Sequence, residues 1–525
     1  MHLSRLFKLI RFLRLVAAQD SLLPPDFKQK APWRVRVWRR LFTLGAPRYD
    51  LQSRGQALSK HLQRLGPTYI KLGQSLATRP DIVGLQLAQD LQFLQDRLPP
   101  FDMAQVRAIL DAELEQPFDE MFADFSEPVA AASIAQVHQA KLKDKTKVAV
   151  KILRPDVERE LQAELDTFML FARLVEKFVP AARRLRPVQA VQTLADSVKL
   201  EVDLRLEAAA LSEMGDNTAG DKRFYVPPVI WEATGRRVVT MHWSDGVKAS
   251  DIKKLKKAGH NMQDLARRLI QAFLTHALRD GFFHGDMHQG NLLIEAEGTI
   301  VVIDLGIMGR LDPDSRRFLA EILYGFITRD YRKVAQTHFE AGYVPDSKNM
   351  EAFAQALRAI GEPIRGRDAD GISMGRVLTQ LFEVTEQFDM QTQPQLLLLQ
   401  KTMVVVEGVA RSFDPKLNIW DAADPVVSGW LKGELGPEAI LKDAVEGVQS
   451  AAKSLSRLPE TLARAERNQQ HLEQILTPDG LKLHPDTVAA RAAGSQFGNA
   501  LGNVLGKWPF WIGAALAAGV LWRIL

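Results

Sequence analysis

The sequence predicts an α+β protein of two packed lobes, with a helical N-terminal extension before the lobes and a C-terminal transmembrane helix after them. Three observations lead to this expectation. β-like runs are few and short, helical periodicity dominates around them, and 525 residues exceed what one hydrophobic core normally serves. The composition, 46% hydrophobic and 25% charged, is that of a globular chain. Cysteine is absent, which excludes a disulfide framework, a thiolate nucleophile and any Cys-ligated zinc or iron–sulfur centre.

Residues 1–50 form a basic amphipathic segment, with 11 Lys and Arg against 3 Asp in a chain whose overall charge is only +5. Arg5, Lys8, Arg11 and Arg14 alternate with Leu3, Leu6, Phe7, Ile10, Phe12 and Leu13. At about 100° per residue the cations fall on one side of a helix and most apolar residues on the other. Two readings stay open: a helix lying among lipid headgroups, or one packed on the protein with a solvated basic face. Anionic membrane lipid, and not nucleic acid, is the expected partner of this charge. Charges interrupt every apolar run and no small-residue cleavage site follows, so the segment is not a secretory signal.

Residues 51–125 read as a helical extension punctuated by Pro67, Pro80, Pro99, Pro100 and Pro117. The first lobe is expected over 126–243. There, 133–141 and 146–153 form a hairpin around Lys143-Asp144-Lys145, 157–178 and 188–214 return to helix, and 224–231 and 236–241 form two more short strands. The second lobe, 244–435, is mostly helical, broken by the polar stretch 284–291 and the apolar runs 292–294 and 300–303. Residues 395–406 are apolar but short, and Gln400 and Lys401 interrupt them, so they read as a buried helix.

A helical connector is expected over 436–507, with a charged amphipathic stretch at 451–474, and a membrane anchor over 508–525. Eighteen residues at the α-helical rise reach about 27 Å, against a bilayer core of about 30 Å. Trp508, Trp511 and Trp522 bracket the anchor as interfacial aromatics do. Gly513 with Ala517, and Ala515 with Gly519, place small residues four apart, a spacing compatible with a homodimer.

The chemistry concentrates in four places. Asp304 ends a strand of apolar residues, and Gly306 lets the chain turn away. Upstream, His284-Gly285-Asp286-Met287-His288-Gln289-Gly290-Asn291 offers an acid and an amide five positions apart. Phosphoryl transfer requires oxygen ligands that hold magnesium against nucleotide phosphates, and a carboxylate that orients or deprotonates the acceptor. Asn291 and Asp304 can supply the metal ligands and Asp286 the base, which makes ATP and Mg2+ the expected cofactors. Lys151, at the end of an apolar strand, needs an anionic partner, either nucleotide phosphate or Glu207. Plainer alternatives are capping acids, a strand-end lysine in solvent, and a zinc site at His284, Asp286 and His288.

These residues, in this order, resemble the protein-kinase signature set, and more narrowly the UbiB family of atypical kinase-like ATPases linked to ubiquinone biosynthesis. The phosphate loop of that family is Ala-rich, and Ala130, Ala131, Ala132, Ser133, Ile134 and Ala135 occupy its place. The family's Lys-x-Gly-Gln signature is matched by Lys71, Gly73 and Gln74, and its Glu-x-Asp signature by Glu201 and Asp203. The resemblance runs from about residue 66 to 415. It implies a two-lobed kinase-like fold, a Lys-x-Gly-Gln segment lying over the peptide entrance, poor phosphorylation of proteins in trans, and pairs between Lys71 and Glu201 and between Lys151 and Glu207. Two departures matter: Leu305 stands where most kinases have Phe, and Gly285 where they have Arg, so an Arg clamp on a phosphorylated loop is not expected.

The first expectation is therefore an ATPase or small-molecule kinase supporting ubiquinone biosynthesis at the inner (cytoplasmic) membrane, its catalytic domain facing the cytoplasm. Quinone precursors and biosynthetic enzymes are the implied partners. The rivals are a protein kinase acting on membrane partners and a nucleotide-gated lipid-binding scaffold without turnover.

Overall fold

Strand alternation sets the architecture of the first lobe. The computed structural model describes residues 7–12, 14, 43, 54–77, 91, 99–178, 183, 186–365, 384, 387–390, 394–434, 476–477 and 480–481. The chain divides into two units, residues 1–433 and 434–525.

In the first unit, α1 (Arg54–Leu65), α2 (Pro67–Ala77) and α3 (Met103–Glu113) precede a four-stranded sheet. Its strands are β1 (Phe122–Ala131), β2 (Ala135–Leu142), β3 (Lys147–Leu153) and β5 (Val238–His242), antiparallel in the order β1-β2-β3-β5. Along β3 the side chains of Val148, Val150 and Ile152 point to one face and are fully buried. They pack with Val106, Ile109 and Leu110 of α3. Lys151, of opposite parity, turns to the other face. A one-residue slip would drive this ammonium under α3, so the apolar pattern fixes the register that delivers it to the cleft.

Between β3 and β5 lie α4 (Val157–Phe178), α5 (Pro187–Glu201), α6 (Leu204–Thr218) and the two-residue strand β4 (Phe224–Tyr225). After β6 (Val247–Lys248), α7 (Ile252–Lys257) and α8 (Met262–Thr275) come β7 (Phe282–His284), β8 (Leu292–Ile294), β9 (Ile300–Val302) and β10 (Met308–Arg310). A second sheet has the order β4-β9-β8-β6, and β7 pairs with β10. The helices α9 (Pro313–Thr328), α10 (Tyr331–Glu340), α11 (Met350–Arg365), α12 (Pro394–Phe413) and α13 (Ile419–Glu434) complete the second lobe. As expected for 395–406, α12 is a core helix, with Leu399, Thr402 and Val406 buried.

Several expectations need correction. The helical reading of 51–125 ends too late, because Phe122 opens β1, and the rings of Phe118, Phe122 and Phe125 meet tilted or edge-on with centroids 5.2–5.4 Å apart. Pro128 lies in that strand without disrupting it, since β1 is an edge strand and its register shifts on both sides of Pro128. The run 224–231 pairs at Phe224–Tyr225 and again at Val229, which bridges Met241 of β5, and is interrupted at Pro227 and Pro228, which lack donors; Trp231–Ala233 is a 3₁₀ turn. The run 188–214 is two helices, broken at Val202 and Asp203.

Residues 7–12 are helical, and Leu9 and Phe12 pack on the protein while Phe7 is exposed. Leu9 is buried, the Phe12 ring meets Tyr69 edge-on at 5.6 Å, and Lys8 Nζ reaches Glu164 Oε1 at 2.8 Å. Arg11 and Arg14 are exposed. Among the described residues no helix is long and apolar enough to cross a membrane. The expected anchor at 508–525, the stretch 451–474 and the small-residue spacing lie outside the described residues. In the second unit, β11 (Leu476–Thr477) and β12 (Gly480–Leu481) form a short antiparallel ladder.

Candidate functional site

Lys151 stands between two acids from opposite lobes. Its Nζ lies 2.7 and 2.8 Å from the carboxylate oxygens of Glu207 and 2.8 Å from Asp304 Oδ2. Glu207 occupies the first turn of α6, and Asp304 follows β9, where its Oδ1 accepts the Gly306 N–H at 3.1 Å. Burial lowers the Lys151 pKa, but the Asp304 and Glu207 carboxylates outweigh it and hold the pKa above the ordinary lysine value. Asp304 has the converse balance: burial would raise it, and the Lys151 ammonium holds it well below the usual carboxylate range. Glu207, only 6% exposed, is pushed up to about 7 by desolvation, which Lys151 offsets in part.

The break before α6 places Glu207. Asp203 is the N-cap, its Oδ1 accepting the Arg205 N–H at 3.2 Å, and the Leu204 N–H donates to the Arg236 carbonyl at 2.9 Å. The same Asp203 carboxylate receives the Arg205 guanidinium at 2.9 and 2.7 Å. We predict that Asp203→Ala costs about 1 kcal/mol of stability through the lost cap. A urea midpoint unchanged from that of the unaltered chain would refute this capping role.

Asp286 sits in a loop braced by its own backbone. Its N–H donates to His284 Nδ1 at 3.1 Å, and its carbonyl accepts from Asn291 Nδ2 at 3.1 Å and from the His288 N–H at 2.8 Å. His284 is buried, and desolvation lowers its pKa, so the neutral ring accepts at Nδ1 and carries its proton on Nε2. With the Asn291 amide nitrogen committed to Asp286, its Oδ1 accepts no hydrogen bond among the described residues and can serve a cation. Gly285 is required by packing: a Cβ there would lie 2.8 Å from Ile307 and 3.1 Å from Leu398, which explains why no arginine occupies this position. The zinc alternative finds no support, since among the described residues no three His, Asp or Glu side chains converge as metal ligands.

Ala130 and Ala131 end β1, Ala132, Ser133 and Ile134 form the turn, and Ala135 opens β2. In the extension, Lys71 of α2 forms an ion pair with Glu201, the last residue of α5, and both side chains are largely buried. Gly73 is buried and Gln74 half-buried on the same helix. Glu201 and Asp203 therefore act apart, one facing the extension and the other capping α6.

Sequence reasoning missed three sets of residues. Arg154 donates to the Ala132 carbonyl from Nε and Nη2 at 3.1 and 2.9 Å. Gln136 and His138, fully buried on β2, join the sheet to Phe101 of the extension and to Ser126. Arg310 makes a bidentate pair with Glu213 of α6 at 2.7 and 2.5 Å. The position of Arg154 three residues after Lys151 was the one legible signal; the others depend on contacts between distant segments.

The comparisons agree with this geometry. Residues 93–338 match the ABC1 atypical kinase-like domain, and residues 357–418 match the UbiB helical domain. A protein of Aeromonas hydrophila described as a probable protein kinase UbiB is 39% identical over 483 residues, covering 90% of this chain and 88% of the relative. A Marinobacter nauticus protein of the same description is 39% identical over 413 residues, covering 78% and 76%. The solved Rv3197–erythromycin complex from Mycobacterium tuberculosis aligns with a TM-score of 0.51 at 23% identity, over 76% of this chain and 98% of that one, a likeness of fold alone. From the paired acids on Lys151 and these relatives, the chain belongs to the UbiB family of atypical kinase-like proteins.

Proposed function

We propose that this protein is a Mg-ATP-dependent ATPase or small-molecule kinase that supports ubiquinone biosynthesis at the inner membrane, its catalytic domain facing the cytoplasm. The observation that supports it best is the shared engagement of Lys151 by Glu207 and Asp304, a grouping of lysine, helix acid and strand-end acid that would suit nucleotide phosphates. Asp304 and Asn291 would hold magnesium, a modest ligand set that suits a cation completed by phosphate oxygens and water. When bound, the metal supplies charge neutralisation at the phosphates.

Lys151 would orient the same phosphates, with Glu207 fixing the direction of its ammonium. Asp286, with a side chain 32% exposed, can accept a proton from a hydroxyl acceptor or orient a water. The buried Lys71–Glu201 pair ties the extension to α5, which favours a small acceptor over an extended peptide. Anionic lipid, quinone precursors and biosynthetic enzymes are the proposed partners.

ATP hydrolysis by the purified full chain, with and without anionic vesicles and a phenolic quinone precursor, tests this reading. Asp286→Asn should lower turnover about a hundredfold while leaving nucleotide affinity nearly intact. Transfer of radioactive γ-phosphate mainly to other proteins would favour the protein-kinase alternative. Nucleotide binding with no turnover under any of these conditions would favour a scaffold.

A further inference from the structure

The turn between β1 and β2 closes in an unusual way. The Ala132 N–H donates to the Ala135 carbonyl at 2.8 Å, one half of the bond pair that closes a two-residue hairpin. The other half, from the Ala135 N–H to the Ala132 carbonyl, is absent. Its place is taken by Arg154, which grips that carbonyl with Nε and Nη2 at 3.1 and 2.9 Å. The Arg154 backbone N–H also donates to the Ile134 carbonyl at 2.8 Å. One residue thus holds the carbonyls of Ala132 and Ile134, which belong to the peptides before Ser133 and before Ala135.

Peptide planarity gives this grip a consequence. In a trans peptide the carbonyl of one residue and the N–H of the next point in opposite directions. A guanidinium that fixes the Ala132 carbonyl therefore fixes the Ser133 N–H to face away from Arg154. Neither the Ser133 N–H nor the Ile134 N–H has a hydrogen-bond acceptor among the described residues. The Ser133 hydroxyl, on a fully buried residue, also lacks a partner. Three adjacent donors left unfilled in a buried turn are costly unless an acceptor joins them, and successive backbone N–H groups suit an anion.

We propose that Arg154 is the positioning residue of the Ala-rich turn, presenting the Ser133 N–H, beside the unpartnered Ser133 hydroxyl, as a preset cradle for a nucleotide phosphate. This rests on the nucleotide reading given above. A glycine-rich loop finds its phosphate-binding conformation by flexing, whereas alanines disfavour the positive φ that flexing samples. Here an external guanidinium supplies the orientation. Arg154 is itself braced: its guanidinium lies 5.9 Å from the centroid of the Phe101 ring, and its carbonyl accepts from Arg237 Nη2 at 3.3 Å. Phe101 is held in turn by Gln136, whose Oε1 accepts the Phe101 N–H at 2.9 Å. The helical extension is thereby joined to the phosphate turn through Phe101 and Arg154.

The test compares dissociation constants for ATP and adenosine, with magnesium, in the unaltered full chain and in Arg154→Met, Arg154→Lys and Ser133→Ala. Arg154→Met should weaken ATP about tenfold and adenosine by less than about twofold, because adenosine carries no phosphate for the cradle to hold. Arg154→Lys, with a single-point cation in place of the fork, should fall between, and Ser133→Ala should weaken ATP about threefold. Should Arg154→Met fail to fold, the other two variants decide. ATP affinity unchanged in the variants, or ATP and adenosine weakened by the same factor, would overturn the inference while leaving the nucleotide site standing. No ATP binding by the unaltered chain would overturn both.

Discussion

Asp304→Asn should abolish magnesium-dependent nucleotide binding, raising the dissociation constant of Mg-ATP on the order of 10³-fold. Asp304 lies 2.8 Å from Lys151 Nζ and is the acid proposed to hold the metal. An amide in its place weakens the metal ligand and removes the charge that helps keep the ammonium in the cleft. Charge stabilisation by a bound metal is worth several kcal/mol, and each 1.4 kcal/mol is tenfold. The measurement is a titration of ATP into the full chain with magnesium and again with a chelator. Tight, chelator-sensitive binding by the variant would remove Asp304 from the ligand set.

The second large effect is on stability. Lys151→Ala leaves Glu207 buried with no cation in contact, and breaking a buried pair from one side typically costs about 3–5 kcal/mol. The pH dependence follows from Glu207. Its pKa in the folded protein, about 7, is raised above the ordinary value of 4.5, so the folded state holds this proton more tightly than the unfolded one. Its contribution to stability is therefore full below about 4.5 and lost as pH rises through about 7.

Without Lys151 the Glu207 pKa climbs further, so the penalty of the variant should be largest at pH 8 and shrink at pH 6. Glu207→Gln in the same background should recover much of the loss. Denaturant midpoints at the two pH values decide it, and a penalty independent of pH would refute the role given to the buried carboxylate.

Much of this site was legible because its residues sit where local pattern is strong. Lys151 lies within an alternating strand, Asp304 follows the apolar run of β9, and Asp286 and Asn291 lie in a compact polar loop between two such runs. Glu207 was a candidate partner of Lys151 from the residues alone, whereas the Lys71–Glu201 pair was reached through the family resemblance, since spacing cannot tell which acid in 201–207 meets which lysine. The structure separates them by a helix break that periodicity passed over, because Val202 and Leu204 keep the apolar rhythm across it. β1 was missed for a related reason: Pro117 and Pro128 obscured a strand whose aromatic residues find their partners only in the folded lobe. Arg154 illustrates a different limit. A guanidinium that completes a turn has no periodicity of its own and becomes visible only when both carbonyls are in place.

The packing of α3 on the sheet has a consequence for how this lobe can be inherited. Val148, Val150 and Ile152 are covered by Val106, Ile109 and Leu110, residues that precede the first strand in the chain. Strands transplanted or recombined from residue 126 onward would arrive with their apolar face bare, a surface prone to association with other chains. The extension helix and the strands therefore form one heritable module: a fusion or exchange that keeps the catalytic lobe soluble has to carry residues 103–113 with it.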